Sequence, residues 1–386
     1  MDDLLFLTPV LPFPTGNGSA MRAGIAVELL AETHRVLVVH PEIWGGPHEV
    51  FREDWVRRTA AGYVRIPSPV PIGAASDLLN ASLSGSNPQA VYAFRMAVAP
   101  LAAQIMGLLG NPRLRSVLDL DDNEHARGVR FAELHQLQGN SAMAEQERGA
   151  LPRIRMSERL LLPRFSVSLL AGMEDRDAFA ARYPALQFVH LPNVVRLPAA
   201  LPAALQDAPM DPSALLFVGT LNYFPNADGI LWFCEAILPL IRQRQASMAI
   251  RVVGTGAPPR VLALGDLPGV TVAGAVPDLT PEYARCGTMI VPLRAGSGTR
   301  IKILEAFSYR IPVVSTSAGA HGLEVAHEEH LLLADTPEQF AAACLRLAAD
   351  PVLRDRLREN AFRWLREHHS IDRARGVLRS LYPAAG

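Results

Sequence analysis

The chain has 386 residues, 49% hydrophobic and 19% charged. At roughly 100–200 residues per domain, that composition supplies two sizeable cores and tells against disorder. Basic and acidic side chains number 37 and 38. Neither half carries the basic excess of a general nucleic-acid binder. Cys234, Cys286 and Cys344 are too few and too far apart for a disulfide framework or a paired-cysteine metal site, which fits a reducing compartment.

The sequence opens Met-Asp-Asp, without the positive charge of a secretory leader, and no run approaches about 18 uninterrupted apolar residues. The expectation is a soluble, cytoplasmic protein. Residues 4–8 predict a buried strand. Residues 20–32 predict a helix with Ala23, Ile25, Ala26, Leu29 and Leu30 on its apolar face. Further strands are expected at 36–39, 62–66, 90–94, 116–120, 167–171 and 188–191, with helices at 124–138 and 142–162. Residues 197–212 hold four prolines among small neighbours and read as an interdomain linker. The alternation then restarts. Strands are expected at 215–218, 249–253, 270–272, 288–291, 312–315 and 331–334. Helices are expected at 226–244, with Asn226 as a candidate N-cap, and at 301–308, 337–348, 351–368 and 371–381. Alternation of this kind predicts an α/β fold with parallel sheets covered on both faces. Two doubly wound, Rossmann-like domains facing a cleft are expected: residues 1–196 and 213–370. Residues 371–386 form a C-terminal helix that packs back on the first domain. Ligands of such sheets gather at the carboxyl ends of the strands.

The densest signal is Pro292-Leu-Arg-Ala-Gly-Ser-Gly-Thr-Arg-Ile-Lys-Ile-Leu-Glu305. A strand ends, a glycine loop follows and a helix begins, so free N–H groups and the helix dipole favour an anion there. Gly296 and Gly298 allow close approach of a phosphate oxygen. Lys302 and Glu305 share a helix face. The lysine can neutralise a diphosphate while the glutamate accepts from sugar hydroxyls. Lys302 is the single lysine in the sequence, every other one of the 37 basic residues being arginine. The loop is not a Walker loop.

Four segments occur in order: Phe217-Val-Gly-Thr-Leu-Asn-Tyr-Phe-Pro-Asn-Ala-Asp-Gly, Gly274-Ala-Val-Pro-Asp-Leu, the loop-helix just described, and Pro312-Val-Val-Ser-Thr. This set resembles the C-terminal half of GT-B glycosyltransferases of the group 1, or family 4, type. The likeness is close over residues 213–347 and looser over 5–39 and 117–194. It implies sugar transfer from a nucleotide-diphosphate sugar, UDP-sugar favoured over GDP-sugar, to a small-molecule, glycan or lipid-linked acceptor. Retention of configuration and no tightly bound metal or separate cofactor are also implied. The acceptor would lie on the N-terminal side and the donor in the C-terminal domain. Glu305 matches the second glutamate of the family's Glu-x7-Glu motif, which commonly holds the ribose. Lys302 and the Gly298–Thr299 backbone would face the diphosphate, helped by Arg300 or Arg294. Val276, Asp278 and Leu279 lie where relatives contact the base. Asp278 is equally readable as the cap of a short helix.

The sequence also departs from that pattern. Ser297 stands eight residues before Glu305, in place of the first glutamate. Leu221-Asn-Tyr-Phe-Pro-Asn supplies neither of the cations that many members place on the phosphates. In the first domain, Gly16 and Gly18 form a loop that could approach the donor, with Ser19 as the alternative N-cap reading. In Asp119-Leu-Asp-Asp-Asn-Glu-His125, Asp122 and His125 are candidates to orient an acceptor hydroxyl or take its proton. A helix cap at Asp122 or Asn123 is the competing reading. Arg95 could meet an acceptor, and the arginine-rich, apolar stretch 151–165 leaves peripheral membrane contact open. No histidine set has metal-ligand spacing. A nucleotide-sugar 2-epimerase of the same fold, and a catalytically silent nucleotide-sugar-binding partner, are the alternative functions.

Overall fold

The structure is a computed structural model that describes residues 1–43, 50–67, 73–78, 86–197 and 210–383. Most of the expected linker, 198–209, lies outside the described residues. The chain divides into two compact units. The first comprises Met1–Gly128, Gln146–Asn193 and Asp372–Gly386, and the second Val129–Glu145 and Val194–Ile371. Residues 129–145 thus group with the second unit, whereas the sequence reading had them in the first.

The first unit is built on an all-parallel sheet of seven strands: β1 (Asp3–Leu7), β2 (Arg35–Pro41), β3 (Gly62–Ile66), β4 (Pro88–Phe94), β5 (Arg115–Asp121), β6 (Val167–Leu170) and β7 (Phe188–His190). Their order is β3-β2-β1-β4-β5-β6-β7. The central strands are buried because both faces are covered; Leu4, Leu5, Phe6 and Leu7 have no exposed surface. Helices Gly18–Ala31, Ala99–Leu109 and Met173–Arg182 cover the sheet. The C-terminal helix Ile371–Leu381 contributes Ala374 and Leu378 to this unit, and Tyr382 is buried just beyond it. The Tyr382 hydroxyl donates to the Val91 carbonyl at 2.6 Å.

The second unit repeats the plan with β8 (Asp211–Val218), β9 (Ala249–Val253), β10 (Val270–Gly274), β11 (Cys286–Val291), β12 (Val313–Ser315) and β13 (Leu332–Leu333), all parallel. Their order is β10-β9-β8-β11-β12-β13. The helical run from Phe224 to Arg244 packs Ile230, Phe233, Cys234, Ile237 and Ile241 inward. Helices Pro337–Ala349 and Pro351–His368 add Phe340, Leu347, Leu357 and Leu365.

In both sheets the strand order reverses beside the first strand, between β1 and β4 and between β8 and β11. A crevice opens at the carboxyl ends of such a pair, because the two connections leave in opposite directions. The glycine-rich segments of the sequence fall at these two points.

Two cap assignments change. Asn17, not Ser19, caps the first helix, its Oδ1 accepting from Ala20 N at 2.9 Å. Asn226 is not an N-cap: the helix is entered at Tyr223, with Pro225 in the first turn, and the Asn226 side chain is turned elsewhere.

Candidate functional site

In the second unit the loop after β11 leads from Pro292 into the helix Ile301–Ser308. Gly296 and Gly298 have φ of 137° and 70°, values that side chains other than glycine rarely adopt. A Cβ on Gly296 would collide with the Arg300 guanidinium, which folds back to donate to the Ser297 carbonyl. Gly322 packs closely against this loop: an added Cβ would lie 3.3 Å from the Gly298 carbonyl, tight enough that the loop would have to shift slightly. Ser297, Thr299 and Arg300 are buried. No side chain caps the helix that follows and no acidic residue sits in its first turn, so its N-terminal N–H groups favour an anion.

Lys302 projects from the first turn of that helix towards the end of β8. Its Nζ donates to Asn226 Oδ1 at 2.8 Å and lies 4.7 Å from the centre of the Phe217 ring. The Asn226 amide in turn donates to the Thr220 carbonyl at 2.9 Å. Gly219 keeps this space open: a Cβ there would stand 2.9 Å from Nζ. Burial, with Arg300 adding repulsion, pushes the Lys302 ammonium down to about 7. Glu305 follows on the same helix face, and burial pushes its carboxyl up to about 7. Among the described residues its carboxylate makes no hydrogen bond or ion pair. The ammonium, the carboxylate and the loop N–H groups therefore gather beside the β8–β11 crevice, where a ligand carrying both phosphate and hydroxyls would satisfy all three.

The neighbouring candidates divide. Val276 and Leu279 are partly buried and Asp278 is exposed, its Oδ1 accepting from Thr280 N at 2.9 Å. This bond closes a turn just before the helix Thr280–Arg285, whose N-cap position is Leu279 rather than Asp278. Arg294 is not free for a phosphate: it grips Asp228 through two hydrogen bonds, one of 3.0 Å, and stacks over Trp232. Arg300 donates through Nη1 to the Ser297 carbonyl of its own loop, and the expectation that an arginine shares the phosphate charge gives way for Arg294 alone. A residue the sequence reading missed supports the loop from outside: Arg130 Nη1 donates to the Gly296 carbonyl at 2.8 Å. Near it, His135 stacks on Phe224 with centroids 4.0 Å apart.

In the first unit the carboxyl ends of β1, β4 and β5 carry a buried ionic network. Arg22 binds Asp119 through Nε and Nη2, at 2.8 and 2.9 Å, and reaches the Leu191 carbonyl and Asn193 through Nη1. The Tyr92 hydroxyl donates to Asp119 at 2.5 Å. Arg95 bridges Asp121 at 2.6 Å and Asp122 at 2.7 Å, and donates to Ser19 Oγ. Arg95 and Asp121 hold φ of 74° and 63°. Non-glycine residues there are strained, and the surrounding ion pairs over-determine them.

This network corrects the reading of Asp122. Arg95 takes one of its oxygens and Arg127 the other, at 2.9 Å. Both oxygens of Asp122 are thus already taken up by guanidinium groups of the network rather than turned to an acceptor hydroxyl. The cap is Asn123, which accepts from Ala126 N at 3.0 Å. His125 Nδ1 lies 3.0 Å from Arg155 Nη2, and burial with that arginine lowers its pKa below the ordinary value. Gly16 has φ of 101° and faces Arg52 across 3.0 Å from its would-be Cβ. Gly18 opens the first helix. In the stretch 151–165, Leu162 and Phe165 are buried while Met156 and Leu160 are exposed among Arg153, Arg159 and Arg164. Among the described residues no cluster of three or more potential metal ligands occurs.

Two Rossmann-like units in this strand order match the GT-B class of α/β proteins. Residues 212–350 match the family model "Glycosyl transferases group 1". The fold is similar to that of HepE from Anabaena, solved in complex with UDP and glucose, at a TM-score of 0.70 and 14% identity over 99% of each chain. It is equally similar to sucrose-phosphate synthase from Thermosynechococcus elongatus, at a TM-score of 0.71 and 18% identity over 99% of this chain and 98% of that one. Among curated sequences, an uncharacterised 44.6 kDa protein of the cps region of Klebsiella pneumoniae is 23% identical over 163 residues. The lipopolysaccharide core biosynthesis mannosyltransferase LpcC of Rhizobium leguminosarum bv. viciae is 29% identical over 133 residues. These matches span 42% and 35% of those relatives' lengths, and 40% and 34% of this chain.

Proposed function

We propose that the protein is a glycosyltransferase that takes its sugar from a nucleoside-diphosphate sugar, with UDP as the favoured nucleotide, and passes it to an acceptor hydroxyl with retention of configuration. The observation that carries this reading is the placing of Lys302 and Glu305 on one face of a helix whose uncapped N-terminus lies at the β8–β11 crevice. The group 1 family match over 212–350 and the UDP complexes of structurally similar proteins support it. In the reaction the bond from the anomeric carbon to the diphosphate oxygen breaks and a bond to the acceptor oxygen forms. Negative charge grows on the departing diphosphate, and on this proposal Lys302 with the Gly298–Thr299 N–H groups stabilises it. The proton of the acceptor hydroxyl goes to the departing phosphate oxygen. Glu305 accepts from the ribose hydroxyls.

The scheme asks for no metal, so turnover should survive a chelator. Lys302→Ala should lower kcat/KM by about 100-fold, the range for loss of one charge-stabilising donor, with the thermal transition still cooperative. Unchanged kinetics in that variant would remove the assignment. Proton NMR of the product reads the anomeric configuration, and inversion would contradict retention. Cytoplasmic location, and contact of Met156 and Leu160 with anionic lipid through the flanking arginines, belong to the same proposal; co-sedimentation with phosphatidylglycerol vesicles tests the latter.

A further inference from the structure

The first unit holds a cavity of about 160 Å³ beside the carboxyl ends of β4 and β5, lined in part by Met96, Leu120, Glu124, Ile154, Ser157 and Phe179. It is separate from the loop-helix site of the second unit. Its floor is apolar: Leu120 and Phe179 are buried, and Met96 and Ile154 are partly so. Three polar groups at its wall and rim stand out. Among the described residues, the Glu124 carboxylate, the Ser157 hydroxyl and the Arg153 guanidinium make no side-chain hydrogen bond or ion pair. Burial raises the Glu124 pKa above its ordinary value, as expected of a carboxylate withdrawn from water without a partner. The other charges of the lining are already spent. Asp122 is held by Arg95 and Arg127. Glu158 is held by Arg155 and by the Tyr183 hydroxyl, each at 2.8 Å.

What remains is an apolar floor with one acceptor, one donor and one group that does both, and no net charge between Glu124 and Arg153. Sugar rings match this pattern. Their hydroxyls donate and accept, and their C–H faces lie on apolar surface. An anion would face the Glu124 carboxylate, and a purely apolar ligand would cover Glu124 and Ser157 without replacing their water, while exposed Arg153 stays solvated at the rim. The volume suits one ring rather than a chain of them.

We infer that this cavity binds a single neutral sugar ring, with Glu124 and Ser157 bonding its hydroxyls inside and Arg153 at the rim. The binding claim stands on the cavity itself; only the ring's role as the acceptor rests on the transferase reading. The positions of Met96 and Leu120 place the ring at the strand edge where the strained Arg95 and Asp121 are held. The ionic network would then act as the rigid frame of the pocket, which makes its members positioning residues.

The test is saturation-transfer NMR on the full chain with D-glucose, D-galactose, D-mannose and N-acetyl-D-glucosamine, in saturating UDP. At least one sugar should bind saturably in the millimolar range. Glu124→Gln should weaken it by about tenfold, the loss expected for a hydrogen bond to a charged group. Ile154→Trp, which fills the space, should abolish binding. Ser157→Ala, which removes a single oxygen, should weaken binding without altering the melting temperature, and serves as the reading if either larger change unfolds the unit. Lys302→Ala should leave sugar binding intact while UDP binding falls. If UDP binding ignores Lys302 but sugar binding obeys Glu124, the donor assignment fails and this inference stands. If no sugar binds saturably, or binding survives all three cavity variants, the inference is overturned.

Discussion

Lys302 and Glu305 carry opposite charges in an environment that disfavours both, and the pH dependence of nucleotide binding follows from that. Burial brings each to about 7, the lysine from above and the glutamate from below. A diphosphate beside Lys302 would hold its proton, so affinity is full below pH 7 on this account and falls as pH rises above it, by up to about tenfold per unit. Ribose hydroxyls bond best to an ionised Glu305, so that contribution is full above pH 7 and is lost as pH falls. The affinity for UDP should therefore peak near neutrality, as read by titration calorimetry over that range. Lys302→Arg should flatten the alkaline limb and Glu305→Gln the acid limb. Both residues were legible in the sequence because a glycine loop and an i, i+3 spacing are local signals. Asn226 was not, because its bond to Lys302 joins positions 76 residues apart. Asp122 was misread for the same reason: its sequence neighbours show a carboxylate at a strand end, while Arg95, which neutralises it, comes from another strand.

Elements differ in how firmly they are tied. The first helix is fastened to the sheet by Arg22, whose partner Asp119 has no exposed surface. Arg22→Ala would leave that carboxylate buried and uncompensated, at a cost of about 3–5 kcal/mol, so urea unfolding should show a large drop in midpoint. A shift within error would contradict the structural role of the network. The C-terminal helix is fastened more lightly. Tyr382→Phe removes one hydrogen bond, that to Val91, and should cost about 1 kcal/mol by the same measurement. Strands of both sheets were legible because their apolar runs are short, continuous and bounded by turn residues. Three of the longer helices escaped notice. Val50–Thr59 buries only Val56, and Met173–Arg182 buries only Asp175 and Phe179, so neither shows an apolar stripe. Ala99–Leu109 is apolar nearly all round and lacks contrast between faces.

For the whole molecule, the repeated strand order is the main result: each unit places its first and fourth strands side by side and so creates one crevice. The sequence showed two alternating halves but could not show strand order, which depends on where each crossover returns. It also could not show that Val129–Glu145 belongs with the second unit, since the helix Glu124–Leu137 runs on without a break. The central claim is that Lys302 binds a nucleoside diphosphate, and calorimetric titration of UDP and GDP into the full chain at pH 7, beside Lys302→Ala, tests it most directly. One of the two nucleotides should bind the parent protein, and the variant should lose affinity by at least about tenfold while melting as cooperatively as the parent. Equal affinity in a folded Lys302→Ala protein, or no binding of either nucleotide to the parent, would contradict it.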